Sequence, residues 1–315
     1  MKKIRIAFFG SPDFSARFLE KLIKNTSMNQ YIEVKLVVTQ PDRPVGRKQI
    51  LTPTAVKETA DKLKKSENVF FETIAWGPDK RGEAVEKNDV ELGNIDLALV
   101  YAFSAKIPQQ LLDLPKYGFW CIHPSLLPKY RGTSPMATAL INGDKETGVT
   151  IIKMDEKIDH GPIIAQESLT IENTDYRPDL EKNLTDLAFE LFKNTIDKLL
   201  IANYELETTK QNHKEATYTK KLTKQDGFIP FENLKIKNLE LNKNLKLKIY
   251  NLYRGLYSWP GIWTILPNGK RLKITEMFLD TSHATHSTLR IKKVQLEGKK
   301  ETNFETFNKA YKIFG

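Results

Sequence analysis

"IRIAFFGSPDFSARFLEKLIKN", residues 4–25, changes its hydrophobic period halfway along. Residues 4–10 are a short apolar run interrupted only by Arg5, the pattern of a strand covered on two faces. From Phe14 onward the apolar positions Phe14, Phe18, Leu19 and Leu22 fall on one helix face. A buried strand that runs straight into an amphipathic helix opens a strand-helix-strand crossover, so the stretch predicts an α/β fold. The turn between them reads GSPDFS rather than G-x-G-x-x-G, and the backbone cradle for a dinucleotide pyrophosphate is therefore missing.

The alternation continues outward. Residues 31–40, 96–103, 118–123 and 147–155 read as strands, while 52–65 (opened by Pro53), 107–115 and 134–144 read as helices. Continuous apolar strands separated by helices argue for a mostly parallel, Rossmann-like sheet with helices on both faces. Ligands of such sheets lie at the carboxyl ends of the strands, which brings the turns after Gly10, Phe103 and His123 to one site. A long helix over 177–205 closes this part of the chain, and 1–205 is expected to be the catalytic domain. Residues 206–227 are polar, basic and aperiodic, which reads as a linker. Beyond them, 247–266, 269–280 and 287–299 show strand-like alternation between Gly and Asn turns, so 228–315 is expected to form a small β-barrel.

Composition narrows the classes. Among 315 residues no run approaches the roughly 18 to 20 apolar positions of a membrane span. The basic opening is followed by too short an apolar run for a signal peptide, and one cysteine cannot form an internal disulfide; both fit a cytoplasmic protein. There is no Walker sequence, and five histidines with one cysteine at no zinc spacing predict no metal. The net charge of +10 is unevenly spread: residues 206–315 hold 21 Lys and Arg against 10 Asp and Glu, a net +11. Such an excess beside a neutral domain suits a polyanion, because neutralising phosphates releases counterions.

The stretch FWCIHPSLLPKYRG, residues 119–132, sets Cys121 two positions before His123, so both project to one face of a strand. Neighbours of that kind stand about 6 to 7 Å apart and run parallel, a poor arrangement for a thiolate with the imidazole as its base. A lone buried cysteine is more commonly a small hydrophobe. After His123 the chain turns rigidly between two prolines and exposes Lys129 and Arg131. Asp159, in MDEKIDHGPII, follows another strand and precedes a tight turn, where its carboxylate can orient a histidine.

Taken in order, FFGSPDFSARFLEKL, TQPDRPVGRKQILTPTAVKETA, the block from His123 to Asp155, KIDHGPI, ATYTKKLTKQDGFIPF and LYSWPGIWTIL resemble the folate-dependent formyltransferase family over nearly the whole chain. The resemblance implies that an amine attacks the formyl carbon of 10-formyltetrahydrofolate, with no metal. His123 and Asp159 match the family's histidine and aspartate. Cys121 stands where the family has asparagine, which implies a substituted oxyanion donor, since a thiol donates more weakly than an amide. Ser125, Leu126, Leu127, Pro128 and Phe103 are implied to hold the folate, with residues 154–159 as a wall of the pterin site. Phe103-Ser104 replaces the family's usual Tyr-Gly.

The QPDRPVGRK loop and the basic C-terminal part resemble the branch whose acceptor is methionyl initiator tRNA. Arg43, Arg47 and Lys48 are implied to grip its phosphates. The C-terminal part resembles an OB-like barrel; Trp259 and Trp263 are expected to serve in core packing. A monomer is expected. A sugar-nucleotide N-formyltransferase, and a non-catalytic folate- or tRNA-binding homologue disabled at Cys121, stay open as alternatives at this point.

Overall fold

The period change at residues 4–25 becomes a strand, β1 (Ile4–Gly10), and a helix, α1 (Asp13–Lys24), that turns Phe18, Leu19 and Leu22 inward. The fold is taken from a computed structural model that describes residues 3–46, 48–67, 69–76, 92–202, 205–235, 242–280 and 288–314. Glycine is required where β1 ends: a Cβ on Gly10 would lie 2.9 Å from Ser15 Cβ and 3.0 Å from the Tyr101 carbonyl oxygen. Ser15 Oγ donates to that same carbonyl and ties the start of α1 to the neighbouring strand.

There follow β2 (Ile32–Thr39), a hairpin of β3 (Arg43–Val45) and β4 (Ile50–Thr52), α2 (Ala55–Ser66), β5 (Glu72–Ala75), β6 (Leu97–Tyr101), α3 (Gln109–Leu112), β7 (Phe119–His123), β8 (Arg131–Gly132), α4 (Pro135–Asn142), β9 (Glu146–Lys153), β10 (Ile163–Thr170), α5 (Arg177–Ile201) and β11 (Tyr218–Thr219), which pairs with β8. One seven-stranded sheet has the order β10-β9-β7-β6-β1-β2-β5. Its centre is parallel, with Phe8 opposite Leu99 and Gly10 opposite Tyr101, and β9 runs antiparallel to β7 so that His123 faces Thr150. The mostly parallel reading therefore holds. α2 is capped by Thr54, whose Oγ1 accepts from the Lys57 N–H at 3.1 Å, so it starts after Pro53 rather than at it.

The chain divides into two compact units, one of Met1–Gly132, Gly148–Leu169 and Glu181–Tyr218, the other of Thr133–Thr147, Thr170–Leu180 and Thr219–Gly315. In the second unit α6 (Phe231–Leu234) and α7 (Lys243–Gly255) precede a four-stranded antiparallel sheet of β12 (Ile262–Ile265), β13 (Arg271–Asp280), β14 (Thr288–Leu296) and β15 (Glu301–Asn303), and α8 (Phe304–Tyr311) follows. Its core joins Ile249, Tyr253 and Leu256 to Leu272, Ile274, Val294 and Phe314.

Residues 247–255 are helical, against the strand-like reading of 247–266. Leu247, Lys248 and Ile249 satisfy a period of two over a few residues, but Leu245, Ile249, Leu252, Tyr253 and Leu256 sustain a helical stripe, and Leu247, off that stripe, is exposed. The Asn242 side chain accepts from the Leu245 N–H at 2.9 Å and fixes the helix start. Trp263 packs as expected, against Phe228, with its Nε1–H donated to the Lys224 carbonyl at 2.8 Å. Trp259 does not: it is 48% exposed on the turn where Ser258 and Gly261 hold positive φ.

Arg254, on α7, is 4% exposed and organises the 172–175 turn: Nη1 donates to the carbonyls of Glu172 (3.0 Å), Asn173 (3.3 Å) and Asp175 (3.0 Å), Nη2 to Asn251 Oδ1 (3.0 Å). Replacing it leaves buried acceptors without donors. Arg254→Ala is expected to lower stability by about 3 kcal/mol in urea unfolding followed by tryptophan fluorescence; a loss within experimental error would mean that water replaces the guanidinium.

Candidate active site

β7 ends in the site. Cys121 sits beside Val100 of β6 and opposite Ile152 of β9, partly buried, and packs with Phe103 and Met154 on the cluster that contains Phe9, Trp76 and Phe119. Burial pushes its thiol up, well above the ordinary range, and the Asp159 carboxylate adds to the shift. Cys121 is accordingly a neutral thiol facing a carboxylate's field, an environment that disfavours thiolate and leaves only a weak S–H donor.

His123 is 4% exposed, and both ring nitrogens face acceptors. Nε2 lies 2.8 Å from the Tyr130 carbonyl and Nδ1 lies 3.4 Å from Asp159 Oδ1. A carbonyl cannot donate, so Nε2 carries the hydrogen, and the second contact is favourable when one further proton lies between Nδ1 and Oδ1. Asp159 takes a left-handed backbone conformation, φ +49°, uncommon for a residue with a Cβ. Its Oδ2 accepts from the Gly132 N–H at 2.7 Å, which leaves Oδ1 for the imidazole. His123 and Asp159 thus come together across 36 residues of sequence as the motif reading expects, and this pair can hold and move one proton.

The SLLP segment leaves β7 immediately after His123 and is tied down at every turn. The Ser125 N–H donates to the His123 carbonyl (2.9 Å), and Ser125 Oγ to the Lys129 carbonyl (2.6 Å). Thr150 Oγ1 donates to the Ser125 carbonyl (2.6 Å) and accepts from Leu127 N–H (3.1 Å) and Gln166 Nε2 (2.8 Å), filling its capacity as one donor and two acceptors. Pro128 follows a cis peptide bond. Gly148 permits this packing, because a Cβ there would lie 2.2 Å from the Glu167 carbonyl and 2.5 Å from Leu126. Phe103, beyond the end of β6, lies edge-on to Phe9 with centroids 5.6 Å apart and tilts against Trp76 at 5.7 Å.

Arg131 departs from its expectation. It is 1% exposed rather than solvated, with Nε and Nη2 donating to Gln211 Oε1 at 3.2 and 2.6 Å and Nη2 also to His213 Nδ1 at 2.8 Å. Thr150, Gln166 and Gln211 are missed by sequence reading because each acts through contacts 16 to 80 residues away, and a single polar residue in a strand or loop carries no periodic signal. Arg43 and Lys48 lie exposed on the β3–β4 hairpin and its turn, and Arg47 lies outside the described residues. Among the described residues no group of three or more His, Cys, Asp or Glu is placed to share a metal ion.

The raised thiol predicts slow chemistry at Cys121. Alkylation by iodoacetamide at pH 8 is expected to run at least about tenfold slower in the folded chain than after unfolding in urea, because burial disfavours the thiolate until the pH exceeds the ordinary thiol range; equal rates would show an accessible, ionisable sulfur.

Comparison with known proteins bears on this geometry. Residues 3–196 match the family model Formyl transferase and residues 221–288 match Formyl transferase, C-terminal domain. Methionyl-tRNA formyltransferase of Caldicellulosiruptor saccharolyticus is 37% identical over 98% of this chain and 97% of its own length, and that of Halalkalibacterium halodurans is 36% identical over 86% and 77%. In fold the chain is similar to an N-formyltransferase from Helicobacter canadensis, crystallised with folinic acid and dTDP-3-aminofucose, at 23% identity, TM-score 0.57 and 88% coverage of both chains. It is similar also to a 4-N formyltransferase from Francisella tularensis, at 22% identity, TM-score 0.59, 85% of this chain and 95% of that one. No described helix is long and apolar enough to cross a membrane. With the first family model matching more than half of this chain and a relative aligned with it almost end to end, the chain belongs to the formyl transferase family and is a formyl-transferring enzyme.

Proposed function

We propose that the chain transfers the formyl group of 10-formyltetrahydrofolate to the α-amino group of methionyl initiator tRNA, in the service of translation initiation. The observation that carries the reading is the near end-to-end alignment with a relative named methionyl-tRNA formyltransferase, including the part that holds the +11 charge. The buried His123 and the partly buried Asp159 beside it supply the chemistry. The amine attacks the formyl carbon, a tetrahedral oxyanion forms, and a proton passes from the amine to the folate nitrogen that leaves.

His123 is the group that moves this proton. Asp159, held by Gly132, fixes the ring and supports its charged form, while the N–H now on the Tyr130 carbonyl exchanges that partner for the developing oxyanion. Cys121 occupies the second donor position and contributes little there, because its neutral S–H is a weak donor. The rigid Ser125–Pro128 segment, with Phe103, receives the folate, and Arg43, Arg47, Lys48 and the basic 228–315 part grip tRNA phosphates.

The test is formylation of methionyl initiator tRNA with 10-formyltetrahydrofolate as donor. The given chain is expected to turn over, His123→Ala and Asp159→Asn to lose about 10²- to 10⁴-fold, and Cys121→Asn to gain about 10²-fold from the restored amide donor. A chain silent in both its given and its Asn form, with the tRNA bound, would overturn the reading. The polyanion contact has its own signature: KM for tRNA should climb steeply between about 50 and 200 mM salt while KM for the folate stays nearly level.

A further inference from the structure

The segment after Glu205 has no periodicity, yet it is pinned inside the first unit. Thr209 exchanges both backbone hydrogen bonds with Ile163 at 2.8 Å, and the Arg131 N–H donates to the Thr217 carbonyl at 2.8 Å. The segment therefore runs between the two arms that carry the site, the one from Pro128 to Gly132 after β7 and the one from Asp159 to Ile163, where β10 begins. Gln211 lies in its middle, 6% exposed. Its Oε1 accepts twice from Arg131, and its Nε2 donates to the Asp159 carbonyl at 3.0 Å and the Gly161 carbonyl at 2.7 Å. Every hydrogen-bonding site of the amide is filled.

From this geometry we infer that Gln211 is a positioning residue for the reaction, the clamp that sets Asp159 at the angle from which its carboxylate reaches both Gly132 and His123; the inference rests on the role given to that pair above. The backbone of Asp159 needs such a hold, since φ +49° is sparsely populated for a residue with a Cβ and persists only where surroundings over-determine it. The neighbouring turn is also closed tightly: a Cβ on Gly161 would lie 1.8 Å from the Lys153 carbonyl. Only a long primary amide fits the clamp. Glutamate keeps the acceptor for Arg131 but has no donor for the two carbonyls, lysine and arginine have no acceptor, and asparagine is a methylene short. Arg131 has its own role, since its buried guanidinium fixes which way the amide faces: oxygen toward the cation, nitrogen toward Asp159.

The effect reaches the substrates only through Asp159, so it falls on turnover rather than binding. Gln211→Glu, which keeps the contact with Arg131, is expected to lower kcat by about 10- to 100-fold with each KM within about twofold, the size expected when a supporting residue lets a reacting group drift by an ångström. Gln211→Ala serves as the second variant. An independent readout is amide hydrogen exchange at Gly132, whose N–H is donated to Asp159 Oδ2; it should speed up about tenfold or more in Gln211→Glu, while the His123 and Ile151 amides in the sheet keep their protection.

Both changes together support the clamp. Unchanged kcat in a folded variant, or unchanged Gly132 exchange, overturns it, and loss of thermal stability with kcat preserved would make Gln211 a packing residue only. Should the unaltered chain transfer no formyl group, the proposed function fails, and Gly132 exchange by itself then decides whether Gln211 holds Asp159.

Discussion

The site depends on one carboxylate held between two partners. Asp159 Oδ2 takes the Gly132 N–H at 2.7 Å, and Oδ1 is left 3.4 Å from His123 Nδ1. The first contact does the positioning, because it is short and its donor is backbone; the second is loose enough to tighten during a reaction. Every other feature near it serves this division. Gly132 follows Arg131 and sits where β8 ends, Asp159 adopts a left-handed backbone so that its side chain points back across the turn, and β7 delivers His123 from the sheet.

The surrounding architecture is stiff where the chemistry needs rigidity. Thr150 and Gln166 take up the polar groups of residues 125–127, so the segment next to His123 has few alternatives. The sheet adds to this: β7 has β6 on one side and β9 on the other, and neither edge of it is open. Polar groups in such a buried network are costly to leave unpaired, which gives the loop one favoured conformation without a large apolar contribution. Cys121 belongs to a different environment. It joins the apolar layer of Phe103 and Met154, and that setting explains its suppressed ionisation.

Much of this was legible in the chain because its signals are local. Phe14, Phe18, Leu19 and Leu22 mark α1, the apolar runs mark β1, β6 and β7, and the HPSLLP and KIDHGP segments mark the two arms of the site. Where a local pattern is ambiguous the structure departs from it, as at the start of 247–266, where the alternation of Leu247, Lys248 and Ile249 fits a strand while the spacing of Ile249, Leu252, Tyr253 and Leu256 fits the helix that forms. Arg131 is buried against expectation for a related reason. Charge is a good predictor of exposure until a partner from elsewhere satisfies it, and Gln211 lies 80 positions away.

The sequence by itself determined which segments are strands and helices over most of the first unit, and the family, since period and motif are properties of neighbours along the chain; it singled out His123, Asp159 and Cys121 as candidates for the site. Only the tertiary structure decided how Asp159 is held, which residues stiffen the loop beyond His123, and that an aperiodic stretch after Glu205 carries a buried amide between the two arms. Those are contacts between residues tens of positions apart, and hydrogen bonds of that reach leave no trace in local pattern because they depend on where the folded backbone brings the partners, not on what stands beside them.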